Sequence, residues 1–408
     1  KNNIHGIINQ EFVNHTYISM IPLIRILKIF ALNCNVEDKF KTPYVVLKSL
    51  FTSLLLGCIQ FYSLYYKINN IYITMDLSVW VTDLVQIITD YFQYLVDLYF
   101  VYKYGRNICV EYYKQYDKID KFFDVISYSA IKRKLQKFIV FFVTIWLLSS
   151  FGDMGAWVVT YGWKIPIAHS ITFVFLFIKM LTNLDLIAQV SQIEFRLKII
   201  GNLVHQCYSS TEVCPDGGMT DCIRNKNWLY IEDGKKTHGL QLRPNDNVKK
   251  RLAKCYLSLT EQVTFINSMF GYRVLLNTLS LLLDMVKVTN LTIRILMGSQ
   301  VRTQSVNNVA ISGIMRLITS ASIIFSLVAQ CEQAYRQGEQ IINIIDHLLV
   351  FKRPDEVLRK AMLNLRTLLQ ERPIRFNMAN FFTLNYGLLV SISSVVVTYS
   401  IILLQNVN

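Results

Sequence analysis

The sequence predicts an all-α polytopic membrane protein: seven transmembrane helices, a cytoplasmic N-terminus and an extracellular C-terminus. Three observations predict it. Of 408 residues, 52% are hydrophobic and 17% charged, with a mean hydropathy of +0.33, whereas soluble domains carry about 25% charged residues. Apolar stretches of about 20 residues, the length that crosses a bilayer as a helix, recur along the chain. The basic residues are concentrated in alternate connections, which explains the formal net charge of +14 better than a nucleic-acid footprint does.

The spans read as Leu47 to Tyr66, Val79 to Val101, Phe138 to Tyr161, Ile165 to Val190, Met269 to Thr289, Val309 to Cys331 and Phe381 to Gln405. Lys and Arg number five in residues 1–46, nine in 102–137, eleven in 191–268 and eight in 332–380. On the other side they number one in 67–78, one in 162–164 and two in 290–308. Cytoplasmic loops retain Lys and Arg, so the N-terminus lies inside and the C-terminus outside. G-protein-coupled receptors have the opposite orientation.

Residues 1–46 form a cytoplasmic N-terminal segment. Its apolar run Tyr17 to Leu32 is interrupted by Pro22, Arg25 and Lys28, which reads as an amphipathic helix at the membrane surface rather than a cleavable signal peptide. Residues 47–331 form the bundle of helices one to six, including the 191–268 loop, and 332–380 a pair of cytoplasmic helices. One carries Ile341, Ile342, Ile345, Leu348 and Leu349 on one side, the other Leu358, Ala361, Met362, Leu365 and Leu369. The stretch from Ser209 to Asn247, rich in Gly, Pro and polar residues, reads as mobile or disordered. No internal repeat of the kind used by many transporters is evident.

Nothing points to catalysis, since Walker, GxGxxG, HExxH and GxSxG patterns are missing from the sequence. Cys207, Cys214 and Cys222 beside His205 match no standard zinc spacing, so no metal or cofactor is implied. Asn290-Leu291-Thr292 is a glycosylation acceptor on the expected outer side, while Asn14-His15-Thr16 lies inside and stays bare.

Polar groups inside the spans are the candidate ligand contacts, because lone charges at mid-bilayer cost about 2.5–3.5 kcal/mol on insertion scales. Asp83, Asp90 and Asp97 recur every seven residues with Gln86 and Gln93 close by. With Trp146, Asp153, Trp157, His169, Asp284 and Arg316, the outer members Asp83, Gln86 and Asp90 would enclose an outward-facing pocket, in which rings pack on apolar ligand faces and carboxylates or amides fix hydroxyls or a cationic nitrogen. The bland readings are structural ion pairs and an interfacial aromatic belt of Trp157, Tyr161 and Trp163. Asp97 and Lys179 read as interhelical partners.

The final 381–405 stretch is uncharged yet polar along one side. Gly387, Ser391, Ser394, Thr398 and Gln405 follow at steps that keep them on one helical face, with Ile402 filling the gap. Such a face either lines water or packs tightly on another helix. The run Thr398-Tyr399-Ser400-Ile401-Ile402-Leu403-Leu404-Gln405 resembles the Thr-Tyr to Gln signature that closes the insect gustatory receptors. Arg372-Pro373-Ile374-Arg375-Phe376 and Phe381-Phe382-Thr383-Leu384-Asn385 resemble that family's approach to its last helix, whereas Asn406 departs from its usual Phe.

The resemblance implies a tetrameric, ligand-gated, nonselective cation channel in the plasma membrane of sensory neurons, a homotetramer or an assembly with other gustatory receptors, with no G protein required. Helix 381–405 would line a pore passing Na, K and Ca ions, closed at Ile401 or Ile402, with Gln405 as the polar constriction and the 332–380 helices as a cytoplasmic anchor. Its partners would be the bilayer and a small-molecule tastant, a bitter plant compound in preference to a sugar, and nucleic acid has no part. An odorant receptor shares this plan, and a secondary transporter would use the Asp83, Asp90, Asp97 stripe as an ion path.

Overall fold

The computed structural model describes residues 15–33, 42–72, 77–122, 129–211, 246–297 and 306–406. The sequence readings for Asn14, Cys214, Cys222 and most of 209–247 lie outside them. Among these residues there are ten helices and one two-stranded hairpin. The helices are α1 (His15–Ile29), α2 (Thr42–Asn70), α3 (Leu77–Tyr104), α4 (Arg106–Phe122), α5 (Ser129–Tyr161), α6 (Lys164–Ser210), α7 (Asp246–Leu296), α8 (Val306–Phe351), α9 (Glu356–Glu371) and α10 (Tyr386–Asn406). Between the last two lies the hairpin of β1 (Asn377–Met378) and β2 (Phe382–Thr383).

Among the described residues, five helices contain a stretch long and apolar enough to cross a membrane: Val46–Asn70, Ser129–Thr160, Pro166–Ser210, Arg251–Leu296 and Asn308–Phe351. α3 is 28 residues long but holds three aspartates, and the apolar part of α10, Tyr386–Ile402, is shorter.

The chain divides into two compact units, to both of which α6, α7 and α8 contribute. The first comprises Lys1–Gln192, Thr264–Glu332 and Arg375–Asn408. Its centre is α6, buried on every side, with apolar Phe175, Leu176, Ile178, Leu181, Leu184 and Ile187 and polar Lys179, Thr182 and Asn183 alike enclosed; a helix largely apolar all round is one that others surround. α5 meets it where the Trp146 indole N–H donates to the Phe173 carbonyl at 3.0 Å, and α2 where the Ser63 hydroxyl donates to the Ala168 carbonyl.

The apolar residues of α1, Tyr17, Met20, Leu23, Ile24 and Leu27, are buried, so this helix spends its apolar side within the chain. Tyr113 of α4 stacks edge-on against Tyr17 at 5.5 Å, and Gln192 of α6 donates to Ser19 at 3.1 Å. α2 and α3 approach closely because position 57 is glycine, where a Cβ would stand 2.6 Å from the Tyr91 hydroxyl. By contrast Leu47, Phe51, Leu54, Phe61 and Tyr62 of α2 are exposed, an apolar surface suited to lipid.

The second unit, Ile193–Val263 with Gln333–Ile374, is held by the stripes read from sequence. Ile341, Ile345 and Leu348 are buried, as are Leu358, Ala361, Met362, Leu365 and Leu369, and Ile344 joins them while Ile342 and Leu349 are half-buried. Asp355 caps α9 by accepting from the Leu358 N–H at 3.1 Å, Arg366 pairs with Asp346, and the Tyr256 hydroxyl donates to the Arg372 carbonyl at 2.8 Å.

The last helix starts at Tyr386 rather than Phe381. Phe382 and Thr383 belong instead to the hairpin, whose register pairs Asn377 with Thr383 and Met378 with Phe382. Ala379 and Asn380 turn the corner with φ of 53° and 63°. Asn385 then caps α10, its side-chain oxygen accepting from the Leu388 N–H at 3.2 Å.

Truncating Leu365, fully buried on α9, leaves a cavity, and Leu365→Ala should destabilise this unit by about 2–5 kcal/mol. A fall in the melting temperature of the detergent-purified protein checks it.

Candidate functional site

α3 carries its three aspartates on one face because seven residues are close to two helical turns. Each meets a base from another helix. Asp83 binds two ammonium groups, Lys67 of α2 at 3.0 Å and Lys287 of α7 at 2.9 Å, and accepts from the Tyr72 hydroxyl at 2.6 Å. Asp90 pairs with Lys179 of α6 at 2.7 Å and accepts from Ser280 at 2.6 Å and Gln86 at 2.5 Å. Asp97 pairs with Arg273 of α7 at 2.9 Å and accepts from Thr182 at 2.9 Å and Gln93 at 2.6 Å. Asp97 and Lys179 are thus both interhelical partners, though not of each other.

A second cluster joins α5, α7 and α8. Arg316 grips Asp284 with two nitrogens, at 2.8 and 3.3 Å, and reaches Asp153 at 3.6 Å. Ser320 donates to Asp284 at 3.0 Å, while Ser312 and the Trp157 indole donate to Asp153 at 2.9 and 3.0 Å. His169 stacks on Trp157 at 5.2 Å, and its Nε2 is buried without a hydrogen-bond partner among the described residues.

Four acids, Asp83, Asp90, Asp153 and Asp284, therefore stand against four bases, Lys67, Lys179, Lys287 and Arg316. All eight are buried. At low dielectric a buried charge persists only when paired and hydrogen-bonded, which is what each has.

Of the nine ligand candidates read from sequence, the structure brings Asp153, Trp157, His169, Asp284 and Arg316 into one cluster, and Asp83, Gln86 and Asp90 into the adjoining rungs on α3. Trp146 stands apart, packed at 4.5 Å against Phe177. The partners Lys67, Lys287, Arg273 and Ser280 escaped the sequence reading. Lys287 and Arg273 stood inside the expected fifth span, and bases there were the available signal for partners to the α3 acids.

A small cavity of about 30 Å³ lies among α1, α4, α6 and α7, lined by Met20, Tyr112, Asp185, Gln189, Phe265 and Phe270 among others, and none of the nine candidates faces it. Asn290, read as a glycosylation acceptor, is a correction. It sits within α7 at 0% exposure, its amide donating to Ser78 at 3.3 Å and its oxygen accepting from Arg294 at 3.0 Å, so no glycan has access.

On α10 no described side chain from Tyr386 to Gln405 is buried. The half-buried positions Leu388, Leu389, Ile392, Val396, Tyr399 and Ser400 fall on one side, and Gly387, Ser391, Ser394, Thr398, Ile402 and Gln405 are exposed on the other, together with Ile401.

A family model described as 7tm Chemosensory receptor matches residues 132–406. The chain belongs to that family. Among solved structures, this receptor resembles the insect olfactory receptor OR5 from Machilis hrabei with a TM-score of 0.59 at 13% identity, over 97% of this chain and 99% of that one. The same receptor in complex with eugenol matches with a TM-score of 0.54 at 12% identity and the same coverage. A comparison with curated protein sequences returns no match. Identities this low carry the fold. The family is one of chemosensory receptors, not enzymes.

Breaking one rung strands its partner, so Lys179→Met should cost about 3–5 kcal/mol and most of the surface expression, while Lys179→Met with Asp90→Asn should recover much of it. Surface biotinylation of the single and double variants checks this. Asn290→Gln should leave the electrophoretic mobility of surface protein unchanged.

Proposed function

We propose that this receptor is an insect gustatory receptor acting as a ligand-gated, nonselective cation channel. Four copies each contribute α10 to a central pore, with the N-terminus inside and the C-terminus outside. The observation that carries this reading is α10, an uncharged helix that buries none of its described side chains within its own chain and turns Gly387, Ser391, Ser394, Thr398 and Gln405 outward. Hydroxyl and amide side chains are costly against lipid, so a partner helix or water must meet them. Ile401 and Ile402 form the apolar gate, and Gln405 forms a neutral ring that selects weakly among Na, K and Ca ions, having no fixed charge.

The ligand site is the charged cluster of Asp83, Gln86, Asp90, Asp153, Trp157, His169, Asp284 and Arg316, with Trp146 at its edge. The buried, unpartnered His169 Nε2 beside the Trp157 ring supports a ligand that stacks and hydrogen-bonds there. Binding opens the pore to the extent that the ligand prefers the open form. The solved eugenol complex of OR5 supports a small organic ligand, and a plant secondary compound fits better than a sugar. The likeness to an olfactory receptor favours an odorant as the second reading, while the Thr398 to Gln405 string favours taste.

Cells expressing the chain alone, or with a second gustatory subunit, should pass cation current when given a tastant panel. Gln405→Glu should raise calcium permeability relative to sodium severalfold by adding a ring of charge, read as a shift in reversal potential. Uptake of the compound without current would point to a transporter instead.

A further inference from the structure

α7 touches both the buried charges and the hairpin that leads into α10, and α8 bonds the first N–H of α10 directly. Toward α3 and α8 it presents Arg273, Ser280, Asp284 and Lys287. Toward the β1–β2 hairpin it presents Asn267, Gly271 and Thr278. Asn267 is bidentate, its amide donating to the Arg375 carbonyl at 2.9 Å and its oxygen accepting from the Asn377 N–H at 3.1 Å. Thr278 donates to the Met378 sulfur at 3.6 Å.

At Gly271 a Cβ would stand 2.8 Å from the Ala379 nitrogen and 3.3 Å from its Cα. Those are backbone atoms in a left-handed turn, so no rotamer change relieves the contact. Two residues separate the end of the hairpin from α10, and Asn385, which caps α10, also donates to Thr383 of β2 at 3.0 Å. The hairpin and the Glu332 carboxylate, which accepts from the Tyr386 N–H at 3.1 Å, hold the first turn of α10, whose described side chains from Tyr386 to Gln405 are at most half-buried.

We propose that the hairpin seated on Asn267 and Gly271 transmits shifts of α7 to α10, with these two as positioning residues that couple the buried charge cluster to the last helix. This rests on the channel reading for its purpose and not for its mechanics. A rearrangement at Asp284 or Lys287 moves α7, and the hairpin, clamped by two hydrogen bonds and a contact without slack, moves with it. The same packing as a static plug would leave α10 indifferent to small changes at the clamp.

The test uses the full-length protein with Val390→Cys, at an exposed site on α10, and follows its labelling by a water-soluble maleimide through peptide mass spectrometry. Gly271→Ala adds volume at the clamp, Asn267→Ala removes its hydrogen bonds without adding volume, and Gly155→Ala, where a Cβ meets nothing within 4 Å, is the control. A coupled clamp changes the labelling rate about fivefold or more in both clamp variants at comparable surface levels and leaves the control unchanged. Rates equal to the parent in both clamp variants overturn the proposal, and if Gly271→Ala fails to fold, Asn267→Ala alone decides. Currents recorded in parallel separate the two readings: altered labelling in a chain that never conducts refutes the channel and leaves the coupling standing.

Discussion

The pairing of buried charge is the constraint on which this bundle depends. Removing a carboxylate or ammonium from water costs several kcal/mol even after relaxation, and the cost returns only when the partner is close and the remaining lone pairs are hydrogen-bonded. The three aspartates of α3 meet those terms by recruiting α2, α6 and α7. Helices whose apolar surfaces are equally content against lipid or against each other gain specificity from such contacts, because only one arrangement matches every acid to a base. Register along α3 follows from the seven-residue spacing, since sliding the helix by one turn would strand every rung.

The two clusters differ in character. Around Asp83 two ammonium groups share one carboxylate, whereas around Arg316 two carboxylates share one guanidinium. Asp284 and Lys287, three residues apart on α7, lie one in each cluster, so the local surplus of each sign faces the other. A planar guanidinium suits the two-carboxylate side because its fork reaches both acids with separate nitrogens. The ammonium groups suit the other side, where two point charges converge on the two oxygens of one carboxylate.

Helix periodicity was legible from the sequence, and so was the apolar stripe of α9, because both depend on residues near each other in the chain. The α3 acids were legible as needing partners, but which base each takes was not, since Lys287 and Arg273 come from 204 and 176 residues away and spacing carries no information about such pairs. The start of the last helix was misread at Phe381 because an apolar run gives no warning of a hairpin. The signals there were weak: an Asn at 380 able to turn left-handed and an Asn at 385 able to cap. Asn290 shows the opposite failure, a local motif overridden by burial. A sequon states what an enzyme recognises in an unfolded segment, and the fold withdraws it by extending α7 through it.

The glycine at position 57 has a bearing on how this receptor can diversify. With the Tyr91 ring filling the space a side chain would need, α2 and α3 are joined by shape as well as by charge, and a larger residue at 57 has to turn the Tyr91 ring aside or come with a smaller one at 91. Contacts of that sort tie a change on one helix to an adjustment on the other. They leave the outward faces of the same helices free to drift, which is how a sequence can wander far from its relatives while its backbone stays recognisable.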